Sequence, residues 1–298
     1  MPALVAPRAR FALGLAHGRS LELGPRTLLM GILNVTPDSF AGGVADPDEA
    51  AAAALRMEAE GADIVDIGGE STRPGAGPVD AREEIARVVP VIERLAGRLR
   101  VPISVDTSKA PVAEAAIRAG ACLVNDISGL GYDANLGAVA ASAGAGLVLM
   151  HTRGRPRDMY REAVYGDVVA EVSAELAQAL ARAEAAGVDR ARTVLDPGLG
   201  FAKRAEHSWS ILAGLSGLAA LGRPVLVGPS RKSFLAGAAG GAPPGARDWA
   251  TAAAVTAAVL AGAHVVRVHN VAALVQVARA ADAVRGAVAG ADPPALRS

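Results

Sequence analysis

Eight short apolar runs divide this chain, each run ends at a cluster of polar residues, and longer Ala-rich stretches lie between them. Short buried strands that alternate with helical stretches are typical of a parallel sheet built from βα units. Eight such units in one domain predict an α/β fold, a (β/α)8 TIM barrel, in which the reacting groups lie at the C-terminal ends of the strands. A structural protein does not need polar groups at the same end of every strand, so the pattern indicates an enzyme. The eight runs are Leu28–Leu33, Ile64–Ile67, Val101–Val105, Cys122–Val124, Leu147–Met150, Val194–Leu195, Val225–Val227 and Val265–Val268.

The alternation of strands and helices is unbroken, so residues 1–298 are expected to form a single domain. Its core is expected to span about residues 28–288 and to end in a helix near Ala273–Val288. Residues 11–23 are predicted to form an N-terminal β-hairpin around His17-Gly18-Arg19 that covers the bottom of the barrel. Residues 290–298 are expected to be a loose tail.

Charge and cysteine content exclude several classes of protein. The 30 basic and 30 acidic residues balance, so the chain lacks the basic surface expected of a nucleic-acid-binding protein. The single cysteine, Cys122, cannot form an intramolecular disulfide, and its place in an apolar run favours a buried structural residue over a catalytic thiol. No run is long enough to span a bilayer and no leader is visible, which predicts a cytoplasmic protein without a membrane partner.

Three polar residues close the third, fourth and sixth apolar runs: Asp106, Asn125 and Asp196. In a barrel they would point into the partly dry mouth, where an unpaired polar group costs about 1–3 kcal/mol and therefore needs a partner. Two carboxylates and one amide suit a heterocycle that offers N–H donors beside a ring carbonyl. The alternative is that these residues cap the helices that follow them, since Asp and Asn are good helix caps.

The turn after the seventh run, Gly228–Ser233, has the character of an anion site. A helix is expected to open at Phe234, so its free N–H groups and dipole, with Arg231 and Lys232, would attract negative charge. Lysine is rare in this chain, and Lys232 is its strongest functional candidate; the others are Lys109 and Lys203.

The end of the eighth run delivers Arg267 and His269, which strand alternation sends to one face. Together they could hold a diphosphate. Asn34, at the end of the first run, could reach the diphosphate or a Mg²⁺ ion bound to it, because Mg²⁺ prefers oxygen ligands.

Two loops, Asn34–Gly43 and Gly68–Gly77, are long for βα connections and rich in Gly, Pro, Ser and Thr. Loops of this kind can close over a reaction and exclude water, although they could also be simple linkers. Arg73, in the second loop, is placed to meet an incoming anion. His151, after the fifth run, has only a weak claim and is expected to line the floor of the pocket.

Eight motifs, in order and over nearly the whole chain, resemble those of dihydropteroate synthase, a pterin-binding enzyme family. They are Gly31–Phe40, Gly69–Gly75, Ser104–Thr107, Asn125-Asp126, Met150-His151, Asp196–Phe201, Ser230–Phe234 and Arg267–His269. The resemblance implies a transferase of folate biosynthesis. It would join 6-hydroxymethyl-7,8-dihydropterin diphosphate to p-aminobenzoate and release 7,8-dihydropteroate and diphosphate. It further implies Mg²⁺ as a cofactor and a homodimer.

The resemblance also implies roles for individual residues. The pterin would be held by Asp106, Asn125, Asp196 and Lys232. The diphosphate would be held by Asn34, Arg267 and His269, with Asn34 as the metal ligand. The p-aminobenzoate site would comprise Thr72, Arg73, Pro74, Phe201, Lys232 and Ser233. Catalysis would fall to Asp106, Lys232, Arg267 and His269.

The chain departs from the family pattern in three places. After Phe40 the usual Ser-Asp-Gly-Gly is shortened to Ala41-Gly42-Gly43, which removes one Asp from the first loop. Asn270 stands where Asp is usual, and Ala202 replaces the commoner Gly. The shortened loop leaves open a second hypothesis, a pterin-binding paralogue that has lost synthase activity and has a binding or regulatory role. The presence of Lys232, Arg73, Arg267 and His269 favours the working synthase, because a mere pterin binder does not need them.

Overall fold

The computed structural model describes residues 5–36, 46–71, 77–161 and 163–289. The shortened first loop, the tail and three of the residues predicted to bind p-aminobenzoate lie outside the described residues. These three are Thr72, Arg73 and Pro74.

An antiparallel hairpin begins the described chain, as the sequence predicted. Strands β1 (Phe11–Gly14) and β2 (Ser20–Leu23) pair through a short 3-10 turn at Ala16–Gly18. The hairpin lies at the N-terminal ends of the barrel strands, where Ala16 N–H donates to the carbonyl of Cys122 at 3.2 Å. It therefore covers the end of the barrel opposite the polar strand ends.

Eight parallel strands form the barrel and confirm the predicted fold class. Their order is β8-β7-β6-β5-β4-β3-β10-β9, and a parallel bridge between Leu195 and Val225 joins the first of these strands to the last. Each predicted apolar run corresponds to one strand, with ends that differ by at most two residues. The strands are β3 (Leu28–Asn34), β4 (Ile64–Gly68), β5 (Ile103–Asp106), β6 (Leu123–Asp126), β7 (Gly146–Met150), β8 (Thr193–Asp196), β9 (Leu226–Val227) and β10 (Val265–Val268).

Helices surround the barrel, and Ala, Val and Leu dominate the contact between the two layers. Alanines such as Ala50, Ala54 and Ala113 are fully buried and bring the helices close to the sheet. No helix in the described part of the chain is long and apolar enough to cross a membrane. The helices are α1 (Pro47–Ala59), α2 (Ala81–Leu95), α3 (Ala110–Ala119), α4 (Leu136–Ala143), α5 (Val168–Ala185), α6 (Ala205–Ala213), α7 (Asp248–Leu260) and α8 (Val271–Ala289).

The helix expected to open at Phe234 is absent, and that prediction was wrong. Two three-residue 3-10 turns, Ser233–Leu235 and Pro244–Ala246, follow β9, and the next α-helix begins at Asp248. Glycine and proline are poor helix formers, and the intervening segment holds four glycines and two prolines between residues 237 and 245. The argument from a helix dipole at this turn therefore fails, since three residues do not build a macrodipole.

Candidate active site

A buried ion-pair cluster forms the floor of the barrel mouth. Arg267, on β10, donates from Nε to Asp66 Oδ2 at 2.6 Å and from Nη2 to Asp106 Oδ2 at 2.6 Å. Asn125, at the end of β6, donates from Nδ2 to the same Asp66 oxygen at 2.9 Å. Strands β4, β5, β6 and β10 thus each contribute one polar side chain to a single network.

Asp66 is the central member of this cluster, and the sequence analysis missed it. It lies within the run Ile64–Ile67, which was interpreted as an apolar strand, and it is fully buried. Its other oxygen, Oδ1, has no hydrogen-bond partner among the described residues. A carboxylate inside an apolar strand was the available signal, because charged residues are almost never fully buried unless they are paired.

Asp66 also fixes the orientation of Asn125. A carboxylate can only accept hydrogen bonds, so the amide nitrogen of Asn125 must face it. The carbonyl oxygen of Asn125 is then the atom left to accept a hydrogen bond from a ligand. Asn125 is only 3% exposed, so a ligand that meets it must be largely withdrawn from water.

Asp106 faces the mouth and does not cap the next helix, which removes the capping alternative for this residue. The first-turn N–H of Ala110 in α3 is instead bound by Asp133 Oδ2 at 2.8 Å. Burial raises the pKa of Asp106 to about 7, although the Arg267 charge opposes this shift. Asp106 can therefore change its protonation state near neutral pH.

Asp196 and Lys232 form the opposite side of the mouth. Asp196 Oδ1 accepts the Gly198 N–H at 2.7 Å, and burial raises the pKa of this carboxyl. Lys232 Nζ donates to the Leu199 carbonyl at 2.6 Å and lies 4.0 Å from the ring centroid of Phe201. Burial lowers the pKa of Lys232 to about 7, against the pull of the Asp196 charge. The mouth thus places acceptors opposite a cation that can lose its proton.

Ser230 links the turn after β9 to the residue that follows β10. Its Oγ lies 2.9 Å from His269 Nδ1 and accepts the backbone N–H of His269 at 3.2 Å. Ser233, the predicted contact for a carboxylate, lies 3.3 Å from the hydroxyl of Tyr160 through its own hydroxyl oxygen. Tyr160 stands on the loop between β7 and α5, which the sequence analysis had not connected with this turn.

Arg231 does not face the mouth, so its predicted part in an anion site was wrong. Its guanidinium forms two hydrogen bonds with Asp248 at the start of α7, at 2.8 and 3.0 Å. The partner lies 17 positions further along the chain, and nothing in the local sequence indicated it.

His151 does not line the pocket floor, which corrects another expectation. Its ring lies between the barrel and α5, with Nε2 3.0 Å from Glu175 Oε2 and Nδ1 2.7 Å from Lys203 Nζ. Burial and the neighbouring Lys203 lower the pKa of His151 to about 3, so the ring is neutral. Lys203 also donates to the Phe201 carbonyl at 3.0 Å, which ties this buried pair to the loop beneath Lys232.

A cleft of about 370 Å³ opens beside Asp106. This volume lies in the range of small-molecule sites. Thr107 and Ile127 line it near the barrel, and Arg155 and Arg157 line it on the outer side. Lys109, also on its wall, is bound by the carboxylates of Glu70 and Glu84, so this lysine joins its own loop to the loop after β4 and to helix α2.

The described residues offer a magnesium ion one predicted ligand, Asn34, and no cluster of carboxylates. Among them, no group of three or more His, Cys, Asp or Glu side chains could hold a metal ion. Asn34, the predicted ligand, ends β3 and pairs in register with Gly68. One amide oxygen suits an ion that keeps most of its water and arrives with substrate phosphates, which is how Mg²⁺ commonly binds.

Comparison with known proteins agrees with this geometry. The model of the pterin binding enzyme family matches residues 30–269. The dihydropteroate synthase of Mycobacterium leprae is 49% identical over 255 residues, which cover 83% of this chain and 89% of that protein. The structure of Xanthomonas albilineans dihydropteroate synthase with 4-aminobenzoic acid matches with a TM-score of 0.85 at 42% identity, covering 92% of this chain and 98% of that one. The same enzyme in complex with 7,8-dihydropteroate matches with a TM-score of 0.81 at 40% identity, covering 91% and 98%.

The chain folds as a parallel barrel with a buried polar cluster at the C-terminal ends of its strands, and the family model matches most of its length. The chain therefore belongs to the pterin binding enzyme family. Its strand-end residues are those of an enzyme, not of a structural barrel. Within that family it belongs with the dihydropteroate synthases, as its relatives show.

Proposed function

We propose that this enzyme condenses 6-hydroxymethyl-7,8-dihydropterin diphosphate with p-aminobenzoate and releases 7,8-dihydropteroate and diphosphate. The observation that carries the proposal is the arrangement of acceptors around Asp66. Asp106 and Asn125 offer acceptors on one side, Asp196 offers another, and Lys232 supplies a donor. A pterin ring has N–H donors and a carbonyl along its edge, so it complements this set.

Lys232 and Phe201 support the second half of the reaction. The amine of Lys232 lies over the Phe201 ring and next to the turn that carries Ser233. A flat, anionic aromatic acid can rest against the ring and place its carboxylate near Ser233. Thr72, Arg73 and Pro74 belong to this proposal through the family resemblance.

Arg267 has a smaller part in binding the departing diphosphate than the sequence suggested. Two of its five N–H groups are already bound to Asp66 and Asp106, so the two on Nη1 and the second one on Nη2 are left to address a ligand. In this proposal, His269 and Asn34 make most of the contacts with the diphosphate. Ser230 fixes the orientation of the His269 ring. Mg²⁺, when bound beside Asn34, would neutralise diphosphate charge.

The bond changes follow from this division. The C–O bond to diphosphate breaks first, and the electron pair leaves with the diphosphate. The CH₂ cation is delocalised into the pterin ring, where the Asp106 carboxylate stabilises it. The neutral amine of p-aminobenzoate then forms the C–N bond, and the proton that it loses passes to the departed diphosphate. Lys232 and Phe201 hold the amine on the open side of the ring.

The direct test is to incubate the purified protein with the pterin diphosphate, Mg²⁺ and labelled p-aminobenzoate and to look for dihydropteroate. Product formation is expected. Measurable pterin binding without product would overturn the proposal and leave the catalytically impaired paralogue. Inserting an Asp between Ala41 and Gly42 tests whether the shortened loop limits the rate. A higher turnover number is expected. An unchanged turnover number would show that this loop is not limiting.

A homodimer and a cytoplasmic location complete the proposal. Helices α7 and α8 pack against each other. Trp249, at the start of α7, is 89% exposed, and Val284 and Val288 are exposed on the part of α8 that lies beside the end of α7. In the proposed dimer a second copy of the chain packs on these two helices and covers Trp249. Analytical ultracentrifugation should find a dimer that Trp249→Glu weakens; a monomer for the unmodified chain would overturn the assignment.

A further inference from the structure

Arg231 occupies a strained position between two residues of the site. Its φ of 59° lies in the left-handed region, which residues other than glycine rarely adopt. Ser230 on one side contacts His269, and Lys232 on the other faces the mouth. A strained backbone persists only where surrounding contacts hold it, so the contacts of Arg231 control where Ser230 and Lys232 point.

The start of α7 provides those contacts. Asp248 binds the guanidinium of Arg231 with both carboxylate oxygens. Thr251 Oγ1 accepts the backbone N–H of Arg231 at 3.1 Å. Arg247 donates to the carbonyls of Arg231 and Lys232, each at 3.2 Å. The strained residue is therefore held at its side chain, its N–H and its carbonyl by one turn of helix.

Asp248 also reaches the residue that follows His269. Asn270 Nδ2 donates to Asp248 Oδ2 at 2.9 Å, while Asn270 Oδ1 accepts the N–H of Ala273 at 3.2 Å. The orientation of the Asn270 amide is thus set on both sides. The hydrogen bond from Arg231 keeps the pKa of Asp248 below its usual range, so Asp248 is ionised.

The identity of residue 270 fits this contact. An Asp is usual after the Arg-Val-His motif, and here it would face the Asp248 carboxylate at hydrogen-bond distance. Two carboxylates at that separation repel and cannot both stay ionised. An amide donates instead, so Asn270 and Asp248 complement each other.

We propose that Asp248 is a positioning residue for Lys232 and His269, and that Asn270 is matched to it as its hydrogen-bond donor. Asp248 does not touch substrate; it holds Arg231 and Asn270, the chain neighbours of the residues that do. The inference rests on the proposed synthase function for its kinetic readout. It also has a binding readout that needs no turnover.

The test exchanges the two side chains. Asp248→Asn removes the charge that faces Arg231, and Asn270→Asp places two carboxylates together. Each single variant is expected to raise KM for both substrates about tenfold, or the Kd of 7,8-dihydropteroate by calorimetry, with a smaller effect on kcat. The double variant Asp248→Asn/Asn270→Asp restores one carboxylate and one amide between these positions but leaves Arg231 with a single amide oxygen, so its loss should be smaller than the sum of the two single losses without returning to the unmodified value.

The control is Asp189→Asn. Asp189 also begins a short helical turn, where its Oδ1 accepts the N–H of Ala191 at 2.8 Å, but it precedes β8 at the far end of the barrel. It should change neither KM nor Kd. Single variants with a lower Tm and unchanged KM and Kd would overturn the proposal, because that result describes a purely structural brace. Additive losses in the double variant would overturn the matching of Asn270.

Failure of the synthase function gives a different pattern. An unmodified protein that makes no dihydropteroate refutes the function, while the Kd series still decides the role of Asp248. If the enzyme is active and all three variants leave KM and Kd unchanged, the positioning role of Asp248 is refuted but the synthase function is not.

Discussion

Arg267 Nε lies 2.6 Å from Asp66 Oδ2, although the two residues are 201 positions apart in the chain. Strands β10 and β4 do not pair with each other; both pair with β3, which lies between them. The ion pair therefore crosses the top of β3 and joins strands from the two ends of the sequence. Asp66 and Asp106 raise the pKa of Arg267 despite its burial, so the guanidinium of Arg267 stays charged in the barrel mouth.

Asp66→Asn should weaken pterin binding because it disturbs both partners of Asp66. Arg267 loses one of its two carboxylates, and Asn125 no longer has its amide orientation fixed. A buried charged hydrogen bond is worth about 1.5–3 kcal/mol, so we expect the Kd of a pterin ligand to rise at least tenfold in calorimetry. Glu114→Gln, in an exposed pair with Arg118, is the control and should leave Kd unchanged. An unaltered Kd in Asp66→Asn would contradict the role given to Asp66.

Binding of p-aminobenzoate should take up a proton at pH 8.5. With a pKa of about 7, Lys232 is mostly neutral at this pH in the free enzyme, and an anionic ligand favours its charged form. Uptake should approach one proton at pH 8.5 and vanish near pH 5.5, where the lysine is already charged. Asp106, whose pKa is also about 7, is already ionised at pH 8.5 and does not contribute there.

Calorimetry in buffers of different ionisation enthalpy measures this uptake. Lys232→Met should bind p-aminobenzoate more weakly and without a proton change at either pH. Equal uptake by Lys232→Met and the unmodified enzyme would assign the proton to another group.

Lys203→Met should weaken the binding of p-aminobenzoate much more than the binding of the pterin. Lys203 is 1% exposed, and its amine bonds to His151 Nδ1 and to the Phe201 carbonyl. A methionine fills the space but leaves both acceptors unpaired, which costs about 1–3 kcal/mol of the free energy of unfolding. Because Phe201 is then less firmly held, p-aminobenzoate affinity should fall about tenfold while pterin affinity stays within twofold.

Denaturant unfolding and calorimetry with each ligand measure the two effects. Arg118→Met, on the exposed surface of α3, tests for a general effect of losing a cation. Equal losses of pterin and p-aminobenzoate affinity in Lys203→Met would show that the buried lysine supports the whole mouth.

The barrel was predictable because each strand carries a local signal, an apolar run that stops at polar residues. The same signal led the sequence analysis to miss Asp66. The run that contains it was interpreted as apolar, so its one charged residue was not examined. The directions of His151 and Arg231 were not predictable, because Lys203 and Asp248 decide them through tertiary contacts. The helix expected at Phe234 failed for a reason that the sequence did contain, the glycines and prolines that follow it.

Arg267→Ala should affect more than the diphosphate. From the sequence alone, losing this arginine would weaken mainly the diphosphate-bearing substrate. In the structure its guanidinium pairs with both Asp66 and Asp106, so its removal leaves two buried carboxylates close together without a cation. Breaking a buried ion pair in this way costs about 3–5 kcal/mol. The pKa of Asp106 should rise further, because the Arg267 charge is what holds it down.

We therefore expect Arg267→Ala to lose affinity for a pterin without diphosphate as well as for the diphosphate ester. Calorimetry with both ligands compares the losses. The double variant Arg267→Ala/Asp66→Asn should lose less than the sum of the single variants, because the second change removes one of the unpaired charges. A loss confined to the diphosphate ester would instead show that Arg267 addresses the leaving group directly and that its bonds to Asp66 and Asp106 yield to substrate.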